Sequence, residues 1–195
     1  EVKLRYLVNA QERSDLLIRI AELRNDKLNQ PRQALGALSL ALRECPESVH
    51  LLDRMWDIGR QHAMWRDAGS LIRKSLQDSD PELKFQWFFR LAECARDELE
   101  DLSEAISSFE VCIGIEPDNI ACLRALDSLY GTVENWANQA ETKEKLLELV
   151  SESPRRAALL LALSYLYEER LSRIEAARKS CERLVDEQPA HLEGL

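Results

Sequence analysis

The sequence predicts an all-α chain, an α-solenoid of stacked antiparallel helix pairs, and three observations carry that reading. The first is self-similarity at long range. Leu91 to Pro117, LAECARDELEDLSEAISSFEVCIGIEP, is written again in altered words as Ile20 to Pro46 and as Leu163 to Pro189. Ala34, Ala105 and Ala177, then Leu38, Phe109 and Cys181, then Pro46, Pro117 and Pro189 keep step at offsets of 71 and 72 residues. Variant copies lie between them, marked by Trp65 and Trp136, themselves 71 apart. A fixed period of this kind marks units that bury their apolar faces only against their neighbours. The second observation is punctuation: Pro46, Pro81, Pro117, Pro154 and Pro189 follow one another at intervals of 35, 36, 37 and 35. Each falls after a stretch of apolar residues at helical spacing, where a residue without an amide proton ends one helix and lets the next begin. Third, the alternating, glycine-bounded runs that signal strands are missing.

In order along the chain, Glu1 to Ala10 has no helix-start signal and aligns with Glu144 to Ser153, so a partial repeat over 1–11 is expected. Full repeats then run over about 14–48, 49–81, 85–119, 120–154 and 157–189, with a further partial one over 190–195. Both ends are expected to be cut within a longer array. In the first repeat Ser14 to Leu28 reads as an amphipathic helix with Leu17, Ile20, Ala21 and Leu23 on its stripe. Pro31 opens its partner, which offers Ala34, Leu38 and Ala41. The second repeat places Leu52, Met55 and Trp56 on one helix and Trp65, Ala68, Ile72 and Leu76 on the other. The aromatic cluster Phe85, Trp87, Phe88 and Phe89 opens the third and reads as packing between neighbouring helices. The fourth has Leu123, Leu126 and Tyr130, then Trp136 and Leu146.

Period, helix pairs and residue types resemble the tetratricopeptide repeat (TPR) family, whose unit is a helix-turn-helix with small residues where the helices touch. The family pattern falls on Phe88, Leu91, Ala92 and Ala95, then Ala105, Phe109, Cys112 and Pro117, in the third repeat. In the fifth it falls on Leu160, Leu163, Ser164 and Tyr167, then Ala177, Cys181, Leu184 and Pro189. There are departures. Odd repeats carry an extra residue near the turn, as in Asp97 to Asp101; Trp56 takes a usually small position and Gly59 a usually aromatic one; Asp127 and Gln139 also stand where small residues are usual. The alternation of two repeat types resembles long bacterial arrays of the family. The resemblance implies a right-handed superhelix and a scaffold that binds a partner protein or peptide in a concave groove lined by first helices.

Composition limits the other classes. Lys plus Arg number 26 against 35 Asp plus Glu, a formal charge of −9, which opposes a phosphate backbone and argues against nucleic acid. The longest apolar run, Ala157 to Leu163, is far short of the roughly 20 residues a bilayer span needs, so membrane insertion is not expected. Cys45, Cys94, Cys112, Cys122 and Cys181 form no CxxC pair and the three histidines are scattered. The cysteines therefore read as small buried hydrophobes in a reducing, cytoplasmic compartment, with no metal and no cofactor. No base stands near a nucleophile and the glycines cradle no phosphate, so no enzyme is expected.

Carried over by position, the groove face implied by the resemblance comprises Asp15, Ile18, Glu22, Asn25 and Asp26, then His50, Asp53, Asp57, Arg60 and Gln61. Gln86, Phe89, Glu93, Arg96 and Asp97 continue it, followed by Ala121, Arg124 and Ser128, then Ala158, Leu161, Tyr165, Glu168 and Glu169. Nine of these are acidic and three are arginine. An acidic groove implies a basic or amphipathic partner segment anchored near Phe89 and Tyr165. The alternatives are a structural spacer or rod that self-associates through cut ends, an RNA-binding helical repeat, and regulation of a fused enzyme domain.

Overall fold

The structure, a computed structural model, describes residues 9–187. Residues 1–8 and 188–195 lie outside it, and with them Leu4, Leu7, Pro189 and most of the two expected partial repeats. The described residues form ten α-helices and no strand. They are α1 (Ala10–Glu22), α2 (Pro31–Glu44), α3 (Val49–Gln61), α4 (Trp65–Ser75), α5 (Pro81–Asp97), α6 (Leu102–Ile115), α7 (Ile120–Thr132), α8 (Trp136–Leu149), α9 (Ser153–Tyr165) and α10 (Ile174–Glu187). The chain divides between Leu99 and Glu100 into two compact lobes, α1 to α5 and α6 to α10.

In the N-terminal lobe α1 packs on α2 and α3 on α4. The antiparallel sense of the first pair is visible in one contact: Arg13, at the head of α1, donates to Glu44, at the tail of α2, through Nε at 2.9 Å and Nη2 at 2.5 Å. Ala21, Ala34 and Ala41 are fully buried, which lets the two backbones approach, and Leu17, Leu35, Leu38 and Leu42 fill the space around them. Each buried leucine contributes about 1.5–3 kcal/mol relative to an exposed one. In the second pair the approach is closer still: a Cβ on Gly59 would lie 2.8 Å from the Ala68 Cβ. Trp56 turns to meet Trp65 at 5.0 Å and Trp87 of α5 at 6.0 Å, so it ties the second repeat to the third.

In the C-terminal lobe α6 packs on α7, α7 on α8, α8 on α9 and α9 on α10. Its core centres on Ala140, Leu147, Leu160, Leu163 and Leu166. Arg156 repeats the head-to-tail bond, donating to both carboxylate oxygens of Glu187 at 2.8 and 2.6 Å, and also caps α8 through the Leu147 and Val150 carbonyls. The departures at Asp127 and Gln139 do not loosen the fourth pair, because they compensate one another. Gly131 leaves room for the Gln139 amide, which donates to the Asp127 carbonyl at 3.1 Å. Lys143 neutralises the Asp127 carboxylate at 2.8 Å.

Helix ends follow local chemistry. Asn9, Asp80, Asp101, Asn119 and Asn135 accept from amides of the first turn they precede, each such cap contributing about 1 kcal/mol. Pro81 and Pro154 stand inside the first turn of α5 and α9, where a missing N–H costs nothing. The third and fifth repeats therefore begin their helices at Pro81 and Ser153, upstream of the expected residues 85 and 157. Between first and second helix each repeat has one residue of positive φ, namely Asn29, Ala63, Glu100, Glu134 and Ser172. In the first and fifth repeats the extra residue is absorbed in a π-turn, Leu23–Lys27 and Leu166–Arg170, closed by i to i+5 bonds from Leu28 to Leu23 and from Leu171 to Leu166. The widened turn rotates its own residues off the apolar stripe of α1. Leu23, expected on that buried stripe, is exposed instead.

The cysteine expectation is corrected at two positions. Cys94, Cys112 and Cys122 are buried, but Cys45 is only half-buried and Cys181 is exposed; all five are free thiols. Burial pushes the Cys94 thiol up to about 11, with the Glu98 charge adding to the effect. Cys112 is raised further by its hydrogen bond to Cys122, with burial second.

Candidate functional site

First helices present one face to their own partner and another to solvent, and the solvent face holds the residues singled out in the sequence. In the N-terminal lobe the residues around the π-turn of α1 and the end of α3 converge on an open cleft of about 130 Å³. Glu22, Asn25, Asp26, Asp57, Gln61 and the cation Arg54 line it together with Ala21, Leu38 and Ile58. The Asn25 amide donates to Asp26 at 2.9 Å and to Gln61 at 3.4 Å, and its oxygen lies 3.0 Å from Nε2 of His62. Asn25 and Asp26 belong to the π-turn that ends the first helix. Asp15 and Ile18 lie upstream of the cleft; Asp15 is exposed and accepts from Gln11 at 2.9 Å, and Ile18 is half-buried.

The acidic count overstates the field. Arg54 meets Glu22 at 2.7 Å, Arg90 meets Asp53 at 3.1 Å, Arg60 meets Asp57 at 3.4 Å and Arg96 meets Asp97 at 2.6 Å. The hydrogen bond from Arg96 holds the Asp97 carboxyl below the usual carboxylate range. Arg54 and Arg90 were missed from the sequence. Each sits beside a face position and reaches back to an acid of the preceding repeat, a ladder that only an alignment of acid in one repeat with arginine in the next would have exposed. Arg90 also lies 4.5 Å over the Trp56 ring and 4.9 Å over Trp87. Gln86 and Glu93 are exposed on α5, and Phe89 is half-buried with its ring 6.1 Å from Phe85. His50 is exposed at the head of α3.

In the C-terminal lobe Ala121, Arg124 and Ser128 are exposed on α7, and Ala158, Leu161 and Tyr165 on α9, with Glu168 and Glu169 exposed on the π-turn beyond it. Leu161 and Tyr165 are each 59% accessible. The other tyrosines of this lobe serve packing. Tyr130 donates to Glu110 at 2.7 Å and Tyr167 to Glu144 at 3.3 Å, and burial raises both phenols above their usual range. Among the described residues no group of three or more His, Cys, Asp or Glu could hold a metal ion, and no helix is long and apolar enough to cross a membrane.

No protein-family model matches the chain, and no curated protein matches it. Solved structures to which it is similar include the MamA protein, at 15% identity over 94% of this chain and 96% of that one, with a TM-score of 0.47. MamA 41-end from Desulfovibrio magneticus RS-1 is similar at 15% identity, 91% and 96% coverage and a TM-score of 0.42. YrrB, described as a TPR protein with an unusual peptide-binding site, is similar at 16% identity, 90% and 87% coverage and a TM-score of 0.45. By its own helix pairs, the alanines at their contacts and the length of its repeats, the fold is tetratricopeptide-like.

Proposed function

We propose that the chain is a protein-interaction scaffold whose first-helix faces bind a segment of a partner polypeptide. The observation that carries this is the N-terminal cleft, where Glu22, Asn25, Asp26, Asp57 and Gln61 leave amide and carboxylate groups facing an open space. Arg54 and Arg60 already meet Glu22 and Asp57, and Asn25 is bonded to Asp26, Gln61 and His62, so it is chiefly Asp26, in no ion pair among the described residues, that a cationic side chain of the partner could meet. With Asp26 and Glu93 in no ion pair among the described residues, this lobe's face keeps an acidic balance that suits a basic or amphipathic segment and opposes nucleic acid.

Selection of a displayed peptide library against the intact chain supplies the test. Affinity of the selected peptides falls about tenfold or more with Asp57→Lys and Glu93→Lys or with Leu161→Ser on the first helices. It is unchanged by Lys74→Glu on α4 or Glu148→Lys on α8. Equal losses on both sets, or none on either, would refute the assignment. The spacer or rod remains the second reading, favoured by Ile174, Cys181 and Val185, which share one exposed face of α10. Sedimentation that shifts with concentration and reverts with Ile174→Ser would support it.

A further inference from the structure

We infer that the α9 face of the C-terminal lobe docks a partner segment carrying a large apolar side chain and, about one helical turn further on, a lysine or arginine. The apolar side chain covers Leu161 and Tyr165, and the cation meets Glu168 and Glu169. The inference rests on the scaffold reading above and adds to it an ordered pair of subsites on one helix.

Placement follows from one continuous stretch of chain. Leu161 and Tyr165 stand four residues apart in α9, neighbours on one helix face about 6 Å apart along the axis at 1.5 Å per residue. Both are 59% accessible, and Ala158, three residues before Leu161, extends the same exposed face. Glu168 and Glu169, both exposed, follow Tyr165 by three and four residues in the π-turn Leu166–Arg170. That turn closes only at the fifth residue, so Glu169 has come almost round to the side of Tyr165. The face thus runs from apolar to acidic within a single helix and its closing turn.

Two features of this stretch cost the folded chain stability. Large apolar side chains are left in water, and two carboxylates stand at a helix C-terminus, where the macrodipole is itself negative and cations are the stabilising choice. Neither glutamate is in an ion pair with a described residue. Arg170, in the same turn, lies over the Trp136 ring at 4.9 Å instead. Arg173, beyond the turn, acts together with Arg183 on the Tyr167 phenol. The arginines of α9 and α10 are engaged elsewhere, Arg155 with Glu152, Arg156 with Glu187, Arg178 with Glu175 and Arg183 with Glu144. Two carboxylates are thereby left facing solvent beside Tyr165, and the occupant that complements them is a cation. An apolar group over Leu161 and Tyr165 would exclude water from that contact and strengthen it, while the Tyr165 ring can take the cation on its face. An acidic segment would be repelled.

Three fluorescein-labelled peptides in one Gly-Ser frame test this by anisotropy against the intact chain: Leu-Phe-Gly-Ser-Lys-Lys, Leu-Phe-Gly-Ser-Glu-Glu and Ser-Ser-Gly-Ser-Lys-Lys. The first is expected to bind about tenfold tighter than either of the others. Glu168→Gln with Glu169→Gln should remove its advantage over the Glu-Glu peptide and flatten its salt dependence, and Leu161→Ser with Tyr165→Ser its advantage over the Ser-Ser peptide. Without ligand, the double glutamine variant should melt at a higher temperature than the parent by circular dichroism, because it relieves the unfavourable helix end; a lower melting temperature would make the acid pair structural and overturn the inference. Equal binding of the three peptides, binding of none, or a Lys-Lys preference indifferent to all four substitutions would overturn it as well and leave the scaffold reading standing. Failure of the library test above would bring down that reading separately.

Discussion

Substitution of glycines within helices tests the pairing geometry with a built-in control. A Cβ at Gly36, in α2, would meet nothing within 4 Å. Gly36→Ala should therefore collect the full helix-propensity gain of about 0.8–1 kcal/mol. Gly59→Ala in α3 carries a similar gain, but its Cβ would stand 2.8 Å from the Ala68 Cβ, 3.6 Å from the Met64 carbonyl oxygen and 3.8 Å from Cε3 of Trp65. A Cβ and a carbonyl cannot rotate aside, so α3 and α4 must separate. Overpacking of this kind costs about 1–3 kcal/mol. Propensity cancels in the comparison, so Gly36→Ala should exceed Gly59→Ala in stability by about 1–3 kcal/mol. Urea unfolding followed by circular dichroism measures both midpoints. Adding Ala68→Gly to Gly59→Ala removes the opposing Cβ and should recover part of the loss. Equal stabilisation by the two alanines would mean that α3 and α4 do not touch at Gly59, and the helix-pair geometry would be wrong.

The same contacts predict four further outcomes. Ala63 and Glu134 hold φ of 52° and 59°; Gly at either relieves about 1–2 kcal/mol of left-handed strain against about 0.5–1 of added chain entropy, so Ala63→Gly and Glu134→Gly should raise the unfolding midpoint slightly. Arg90→Met removes the cation from Trp56, Trp87 and Asp53 and should cost about 1–2 kcal/mol, with a shift in tryptophan emission that Arg60→Met does not produce. Lys143→Met leaves the Asp127 carboxylate, whose Oδ1 is already buried without a hydrogen bond, with no cation, at about 1–3 kcal/mol; adding Asp127→Ala should restore stability. The hydrogen bond from Arg156 holds the Glu187 carboxyl below its usual range. The stability it contributes is complete above the ordinary glutamate pKa of about 4.3 and disappears as pH falls through the lowered value, so Glu187→Gln should reduce the melting temperature at neutral pH but not at strongly acid pH.

Much of the fold could be read from the chain, because repeats state their constraints several times. Ala34, Ala105 and Ala177 at fixed offsets located the helix contacts without any long-range inference, and all three are buried. Features that occur once per repeat in varied residues were harder. The left-handed turn residue is Asn29, Ala63, Glu100, Glu134 or Ser172, never glycine, so no turn signature marks it. The extra residue of odd repeats was visible as a count, but a π-turn and an ordinary loop of the same length read alike until the Leu28 to Leu23 bond is seen.

The face residues were legible as exposed positions and not as chemistry. Asp53 and Glu22 counted as free acids until Arg90 and Arg54 were found on them, since the partners belong to different repeats 37 and 32 residues away. Conversely, Asp127 and Gln139 looked like packing faults, and only Gly131 and Lys143 together show how the pair accommodates them.

Binding by the first-helix faces is most directly tested by backbone amide NMR of the intact chain with a library-selected peptide. The account predicts shifts concentrated on α1, α3, α5, α7 and α9, with α2, α4, α6, α8 and α10 nearly silent. Shifts centred on the second helices, or spread evenly over both sets, would contradict it.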